Sequence, residues 1–259
     1  KKSFIKTLMG SKGMPLYQIG KNAQDDRRYV DLEKATYIIG MIGLNECVQY
    51  LTGKQLHEDE ETFKLGLKII SFMHLRAKEY EKKYNLKFTL EESPAESAAR
   101  RLAKVDLQKF PEAKEVVKGN LDSDQYYYTN SIHFAANAPI GLIERITKQS
   151  MFHTLIESGA IIHAFIGEEK PNPLSIFNLI EKTSRNTKCA QLTISPEFTI
   201  CNDCNRIIRG LKESCSCGSK NVYGVTRIVG YYSRIPNWNK SKIGELKDAV
   251  IKVKDTSDG

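Results

Sequence analysis

The sequence predicts an α/β protein, on three observations. Strand, loop and helix patterns recur along residues 86–195, which implies parallel strands joined by helical crossovers, as an α/β sheet or part of a barrel. Of 259 residues, 41% are hydrophobic and 27% charged, the ordinary balance of a chain that buries a sizeable core. Four of the six cysteines lie within seventeen residues near the end, which marks a small unit beside the larger one.

Charge excludes little. The net charge is +8, dispersed except for modest clusters at 76–83 and 240–247. A basic chain favours anionic partners, and a nucleoside triphosphate satisfies that as well as a nucleic acid does. No apolar run approaches the ~20 residues of a membrane span, and no charged-then-apolar leader opens the chain, so a cytoplasmic location is expected.

Taken in order, Lys1–Met9 has helical spacing and Gly10–Pro15 is turn-rich; the opening reads as the middle of a longer protein. Residues 35–43 form an apolar run bounded by glycine, predicting a buried strand, after which Asn45 is positioned to cap a short helix over 46–51. Cys47 in that helix reads as a small core residue. A helix is predicted over 61–84, with Phe63, Leu65, Leu67, Ile70, Phe72, Met73 and Leu75 on its apolar face and His74 structural or exposed. Residues 87–90 predict a strand. Ser93, Pro94 and Glu96 have the pattern of a capping box, and Glu92 or Ser93 alternatively sits at a pocket rim.

Residues 111–125 read as loop. Tyr126–Tyr128 has strand propensity and leads into Thr129, Asn130, Ser131 and His133, whose neutral hydrogen-bonding groups suit ribose hydroxyls or a base, or else simply a turn. The next helix begins near 136–141 and runs through Ile143, Ile146 and Met151 towards Ile156; its N-terminus offers free N–H groups to a phosphate. Residues 159–167 predict a buried strand containing a core or lumen histidine, His163, with Glu168 just past its end in reach of a pocket. A helix over 174–182 points Ile176, Phe177, Leu179 and Ile180 inward, and 189–195 predicts another strand. Residues 222–232 are extended, and 241–254 are helical with Ile243, Leu246, Val250 and Ile251 as the apolar positions.

The chemistry concentrates near the end. Cys201-Asn-Asp-Cys204 and Cys215-Ser-Cys217, separated by a short basic spacer, suit one tetrahedral zinc ion, with Gly218 bending the second knuckle. The alternative is two disulfides or four thiols; a disulfide is disfavoured because nothing points to secretion. Gly230 lies thirteen residues beyond Cys217, between Ile228, Val229 and Tyr231, Tyr232. It reads either as a hairpin or bulge glycine or as the seat of a backbone radical. A radical on a glycine α-carbon is conjugated to both neighbouring amides, and the flanking residues are expected to shield it.

Arg227-Ile-Val-Gly230-Tyr231, after a four-cysteine knuckle and before Trp238-Asn239-x-x-Lys242, resembles the glycyl-radical region of anaerobic (class III) ribonucleoside-triphosphate reductases. Gly43–Glu46, Glu91–Ser97, Tyr127–Ser131 and Ile194–Cys201 resemble the same family in the same order, so the likeness covers nearly the whole chain. It implies the C-terminal half of a ten-stranded β/α barrel over 1–198, a zinc knuckle over 199–222, and a glycyl-radical loop with a C-terminal helix over 223–259. It implies Gly230 as the stored radical, and Cys201, Cys204, Cys215 and Cys217 as ligands of a structural Zn2+. It also implies an activase using S-adenosylmethionine and an iron–sulfur cluster, a barrel cysteine that becomes the thiyl, ribonucleoside triphosphates as substrates, formate as a reductant, and a homodimer of the full enzyme. The product would be deoxyribonucleotides for DNA replication.

The chain is far shorter than that family and carries no cysteine where the thiyl belongs; Cys47 and Cys189 do not match it. The expectation is therefore a C-terminal part that needs an N-terminal half for activity. Two other readings stand beside it: a stand-alone glycyl-radical donor that rescues another enzyme, and a zinc-ribbon module that binds nucleic acid.

Overall fold

The computed structural model describes residues 2–20, 29–164, 170–228 and 230–255. The elements are α1 (Lys2–Gly10), α2 (Tyr17–Gly20), β1 (Thr36–Gly40), α3 (Leu44–Thr52), α4 (Glu60–Tyr84), β2 (Lys87–Glu91), α5 (Glu96–Lys109), β3 (Lys118–Asn120) and β4 (Gln125–Tyr127). They continue with α6 (Leu142–His153), β5 (Ile162–Ala164), α7 (Pro173–Asn186), β6 (Leu192–Ile194), β7 (Phe198–Cys201), β8 (Ile207–Arg209), β9 (Val222–Thr226), β10 (Ser233–Arg234) and α8 (Lys240–Asp255). Glu168 lies outside the described residues, as do the side chains of Val250 and Ile251.

The α/β reading holds. β1 pairs in parallel with β2 and β5 in parallel with β6, each pair bridged by a helical crossover. Glu92 N–H donates to the Gly159 carbonyl (2.9 Å) and Ser158 N–H to that of Leu90 (3.0 Å), so the chain entering β5 runs beside the end of β2. The described strands leave the array open, and they do not close a barrel among themselves. A separate antiparallel sheet, ordered β10-β9-β7-β8, carries the cysteines.

α4 organises the main core. The Asp59 carboxylate accepts the Thr62 N–H (2.8 Å) at its start, Glu60 and Glu61 complement the helix dipole there, and Asn85 in the left-handed region ends it. Its inward face carries Phe63, Gly66 and Ile70, while Phe72 and Leu75, expected inside, are exposed. Gly66 is required by packing: a Cβ there would lie 2.4 Å from the Leu56 Cδ2. Phe63 meets Phe134 (6.3 Å) and Phe152 (5.5 Å) edge to face. Phe63→Ala removes all three contributions of a buried aromatic and should cost ~3–5 kcal/mol in urea denaturation.

Four local expectations are corrected. Asn45 does not cap α3; the helix starts one residue earlier, and the N–H groups of Gly43 and Leu44 donate to the Thr129 (2.9 Å) and Ser131 (3.3 Å) carbonyls. Asn45 instead fixes the following turn, accepting the Leu56 N–H at 3.2 Å. Ser93 does not cap α5: its hydroxyl donates to Glu91 (3.3 Å), and Asn130 Oδ1 accepts the Ala95 N–H (3.3 Å). β1 is not buried, its residues alternating between exposed and half-buried, because no element of the chain covers its outer face. Phe177 and Ile180 of α7 are exposed rather than inward for the same reason.

Candidate radical and metal site

β7 delivers Cys201 and the loop after β8 delivers Cys215, both buried, with Cys204 and Cys217 exposed beside them. The four Sγ atoms lie within 4.8 Å of one another, with Cys201–Cys217 at 3.8 Å and Cys204–Cys215 at 3.6 Å. Zn–S bonds of about 2.3 Å in a tetrahedron separate sulfurs by about 3.8 Å, so this donor set fits a metal of that kind. The knuckles are shaped to hold thiolates. Backbone N–H groups of Cys204 and Asp203 lower the Cys201 thiol, and that of Cys217 brings Cys215 down to about 6. Gly218, at φ +89°, turns the short second pair back so that its N–H reaches the Cys215 carbonyl (2.9 Å). Asp203 joins the knuckles by accepting from Ser219 Oγ (2.5 Å) and Asn221 Nδ2 (2.8 Å).

β9 then leads to Gly230, which has φ +72°, a backbone that side chains other than glycine's rarely adopt. The loop is pinned at both ends. Ile228 is buried with Trp238 and Leu246 of α8 in a second small core. Trp238 Nε1–H donates to Ser233 Oγ (2.6 Å). Between these anchors Arg227 is the clamp. Its Nε donates to Ser195 Oγ (3.0 Å), its Nη2 to Thr193 Oγ1, and its Nη1 to the Gly230 carbonyl (3.4 Å). The guanidinium also lies over the Tyr232 ring at 4.9 Å. Lys242 sits over both Trp238 (4.4 Å) and Tyr231 (5.6 Å) and pairs with Glu96 (3.0 Å). The expected shield is incomplete: Ile228 is buried, but Gly230, Tyr231 and Tyr232 are exposed and Val229 is outside the described residues. The open side faces away from any part of this chain, so cover there requires another polypeptide.

Beside Ile228 lies a cavity of ≈ 60 Å³ whose polar walls are Thr129, His133, Arg145, Gln149, His163 and Glu245. Two of the four residues expected to contact substrate, Thr129 and His133, line it; Asn130 and Ser131 are buried beside it. Thr129 is held by Glu46, donating its N–H (3.1 Å) and hydroxyl (2.5 Å) to the carboxylate. Asn130 Nδ2 donates to Glu245 (3.4 Å). Ser131 adopts φ +47°, and its buried hydroxyl has no partner.

Behind the cavity is a buried polar chain whose proton positions follow from its members. Arg145 only donates, so Gln149 turns its oxygen to Arg145 (3.4 Å) and its NH2 to His133 Nδ1 (2.8 Å). His153 Nδ1 accepts the Ala190 N–H (2.9 Å). Both imidazoles therefore carry their proton on Nε2, and both Nε2 atoms face Glu92, at 3.7 Å from His133 and 3.4 Å from His153. Burial pushes Glu92 up to about 8, offset in part by the Ile161 N–H at 2.9 Å. Burial pulls His133 down to about 3, and His153 and His163 down to about 4. Glu245 rises to about 8 through burial and then the Glu96 charge.

These shifts set opposite pH slopes. A carboxyl raised from 4.5 contributes stability that is present below that value and lost as pH rises through about 8. A histidine lowered from 6.5 contributes stability that is present above 6.5 and lost as pH falls through about 4. Between pH 6.5 and 8 the Glu92 and Glu245 slopes remain, so stability should decline as pH rises there. Glu92→Gln should flatten part of that decline, read as the urea midpoint at the two pH values.

Sequence reasoning passed over Arg145, Gln149 and Glu245 and gave His163 only as a core or lumen residue. The spacing Arg145-x-x-x-Gln149 on one face of α6 was a readable signal. Cys47 is exposed on an open groove of ≈ 500 Å³ between α3 and α5, where burial of its sulfur and the Glu46 charge raise its thiol.

The model of the family described as anaerobic ribonucleoside-triphosphate reductase matches residues 1–250. The chain belongs to this family. An anaerobic ribonucleoside-triphosphate reductase of Enterobacteria phage T4 is 25% identical over 261 residues, covering 92% of this chain and 39% of that protein. The enzyme of that description from Haemophilus influenzae is 26% identical over 140 residues, 54% of this chain and 18% of that one. Among solved structures, the anaerobic ribonucleotide reductase from Thermotoga maritima with glycerol in the active site shares the fold with a TM-score of 0.69 at 22% identity, covering 94% of this chain and 38% of that one. The same reductase with MES in the active site gives a TM-score of 0.67 at 22% identity, covering 92% and 37%. The chain thus spans about two-fifths of the phage and Thermotoga relatives. No described helix is long and apolar enough to cross a membrane.

Proposed function

We propose that this chain is the C-terminal part of an anaerobic reductase of ribonucleoside triphosphates, with Gly230 as the residue that stores its radical. The carrying observation is the Arg227 clamp, which ties the Gly230 carbonyl to hydroxyls of β6 beside the polar cavity. A radical store must sit at a fixed place relative to the strand ends, and a bidentate cation on neutral hydroxyls gives that without adding a reactive group. Cys201, Cys204, Cys215 and Cys217 would hold zinc as a closed structural site, and that ion would supply rigidity to the sheet delivering the loop rather than an open coordination position. Thr129, Asn130, Ser131 and His133 form the substrate side of the reading, and the parallel strands belong to a half-barrel. Formate as reductant, a separate activase and a homodimer are further parts of it.

The exposed Gly230 means that the radical needs a second polypeptide for cover, since an unpaired electron survives only in a dry, oxygen-free setting. The complementary half of the barrel is that cover in this reading. The same exposure suits the second reading, a chain that lends its glycine to another enzyme. Assayed anaerobically with activase, the chain alone should form no deoxyribonucleotide, and adding the N-terminal half should restore turnover. Activity from the chain alone would overturn the proposal, and rescue of an intact, radical-deficient enzyme would favour the lending role.

A further inference from the structure

His163 differs from its neighbours around the cavity. His133 and His153 each commit Nδ1 to a donor and turn Nε2 towards Glu92. Both ring nitrogens of His163 are shielded from bulk solvent and have no hydrogen-bond partner. Leaving two polar atoms unsatisfied costs on the order of 1–3 kcal/mol each, so the position is unfavourable unless something enters the cavity to meet them. Strand pairing places His163 opposite Thr193, whose hydroxyl holds Arg227 and, through it, the Gly230 carbonyl. His163 therefore stands one strand away from the proposed radical loop.

The chemistry of the walls selects the occupant. Burial, with the Arg227 charge second, keeps the ring neutral down to about pH 4, so it offers one N–H and one lone pair. Arg145 donates to the Phe134 (3.2 Å) and Ala135 (3.0 Å) carbonyls as well as to Gln149, and so is committed elsewhere. Its charge still disfavours a cation. Glu245 on the cavity wall disfavours an anion whenever it is ionised, and the His163 lone pair does so always. A neutral hydroxyl, which both gives and accepts, matches a ring with one donor and one acceptor.

We infer that His163 is a hydroxyl-binding residue of this site, taking the sugar hydroxyls of a nucleotide between its two nitrogens. This rests on the reductase reading, from which the sugar comes; the preference for a neutral hydroxyl follows from the walls alone.

The test uses the chain labelled with 15N-histidine, whose ring resonances report each imidazole. Ethylene glycol, the smallest vicinal diol, is titrated in, with acetate as the anionic arm and the surface-facing His74 as internal reference. The expected result is a saturable shift of the His163 nitrogens with ethylene glycol, several times that of His74, and no such shift with acetate. His163→Phe should keep or raise the Tm, because it removes the unsatisfied atoms, and should abolish the matching shift of His133, whose ring meets it at 6.2 Å. A His163 that moves no more than His74, or that responds to acetate in preference, overturns the inference. A radical on Gly230 with a silent His163 sinks this inference alone; a responding His163 with no radical sinks the reductase reading and leaves a polyol site.

Discussion

Cys215→Ser is expected to abolish stoichiometric metal binding and to unfold the sheet of β7–β10 while leaving the α4 core folded. Binding of structural zinc in small domains contributes ~10–16 kcal/mol, more than this four-stranded sheet can supply from its few buried residues. Cys201 and Cys215 are the buried ligands, so losing either removes an inner corner of the tetrahedron. β9 and β10 end at the loop of Gly230, so the clamp from Arg227 should fail in the same variant. Metal analysis should fall from one ion per chain to none, and amide exchange over 198–226 should lose its protection. A variant that keeps one ion and its protection would contradict the assignment of the ligand set.

Gly230→Ala is the second large effect: turnover of the completed enzyme should fall to background with the fold intact. At φ +72° an added methyl costs about 1 kcal/mol in backbone strain. Space is not the obstacle, since a Cβ there would meet only the Pro94 Cβ, at 3.7 Å. Metal content and Tm should therefore stay close to those of the parent, which separates lost chemistry from lost structure. Turnover within tenfold of the parent would show that the glycine serves the turn alone.

How much of this was legible follows from how local each signal is. α4 was readable because its caps, its charges at either end and its 3.6-residue stripe all lie within the helix. The cysteine pairs were readable because their ligand spacing is local too. The caps of α3 and α5 were not: Thr129, Asn130 and Ser131 supply them from more than thirty residues away, and that crossing displaces Asn45 and Ser93 from the roles their positions suggested. The same three residues looked like a substrate tip because Thr, Asn and Ser serve both purposes, and much of their hydrogen bonding is used in joining β4 to the helix starts. β1 and α7 carried apolar patterns of buried elements, yet Ile38, Phe177 and Ile180 are exposed. A pattern reports that a face is meant to be covered, not that this stretch of chain supplies the cover. Arg145, Gln149, His163 and Glu245 come from α6, β5 and α8, so only the fold brings them to one cavity.

The most direct measurement is an electron paramagnetic resonance spectrum of the chain, joined to its complementary half and treated anaerobically with activase. The account predicts a doublet from the single hydrogen left on the Gly230 α-carbon. The doublet collapses when the protein is grown on α-deuterated glycine and is absent from Gly230→Ala. A doublet that persists in that variant, or no signal from a fully metallated and folded complex, would contradict the claim that the unpaired electron resides at this position.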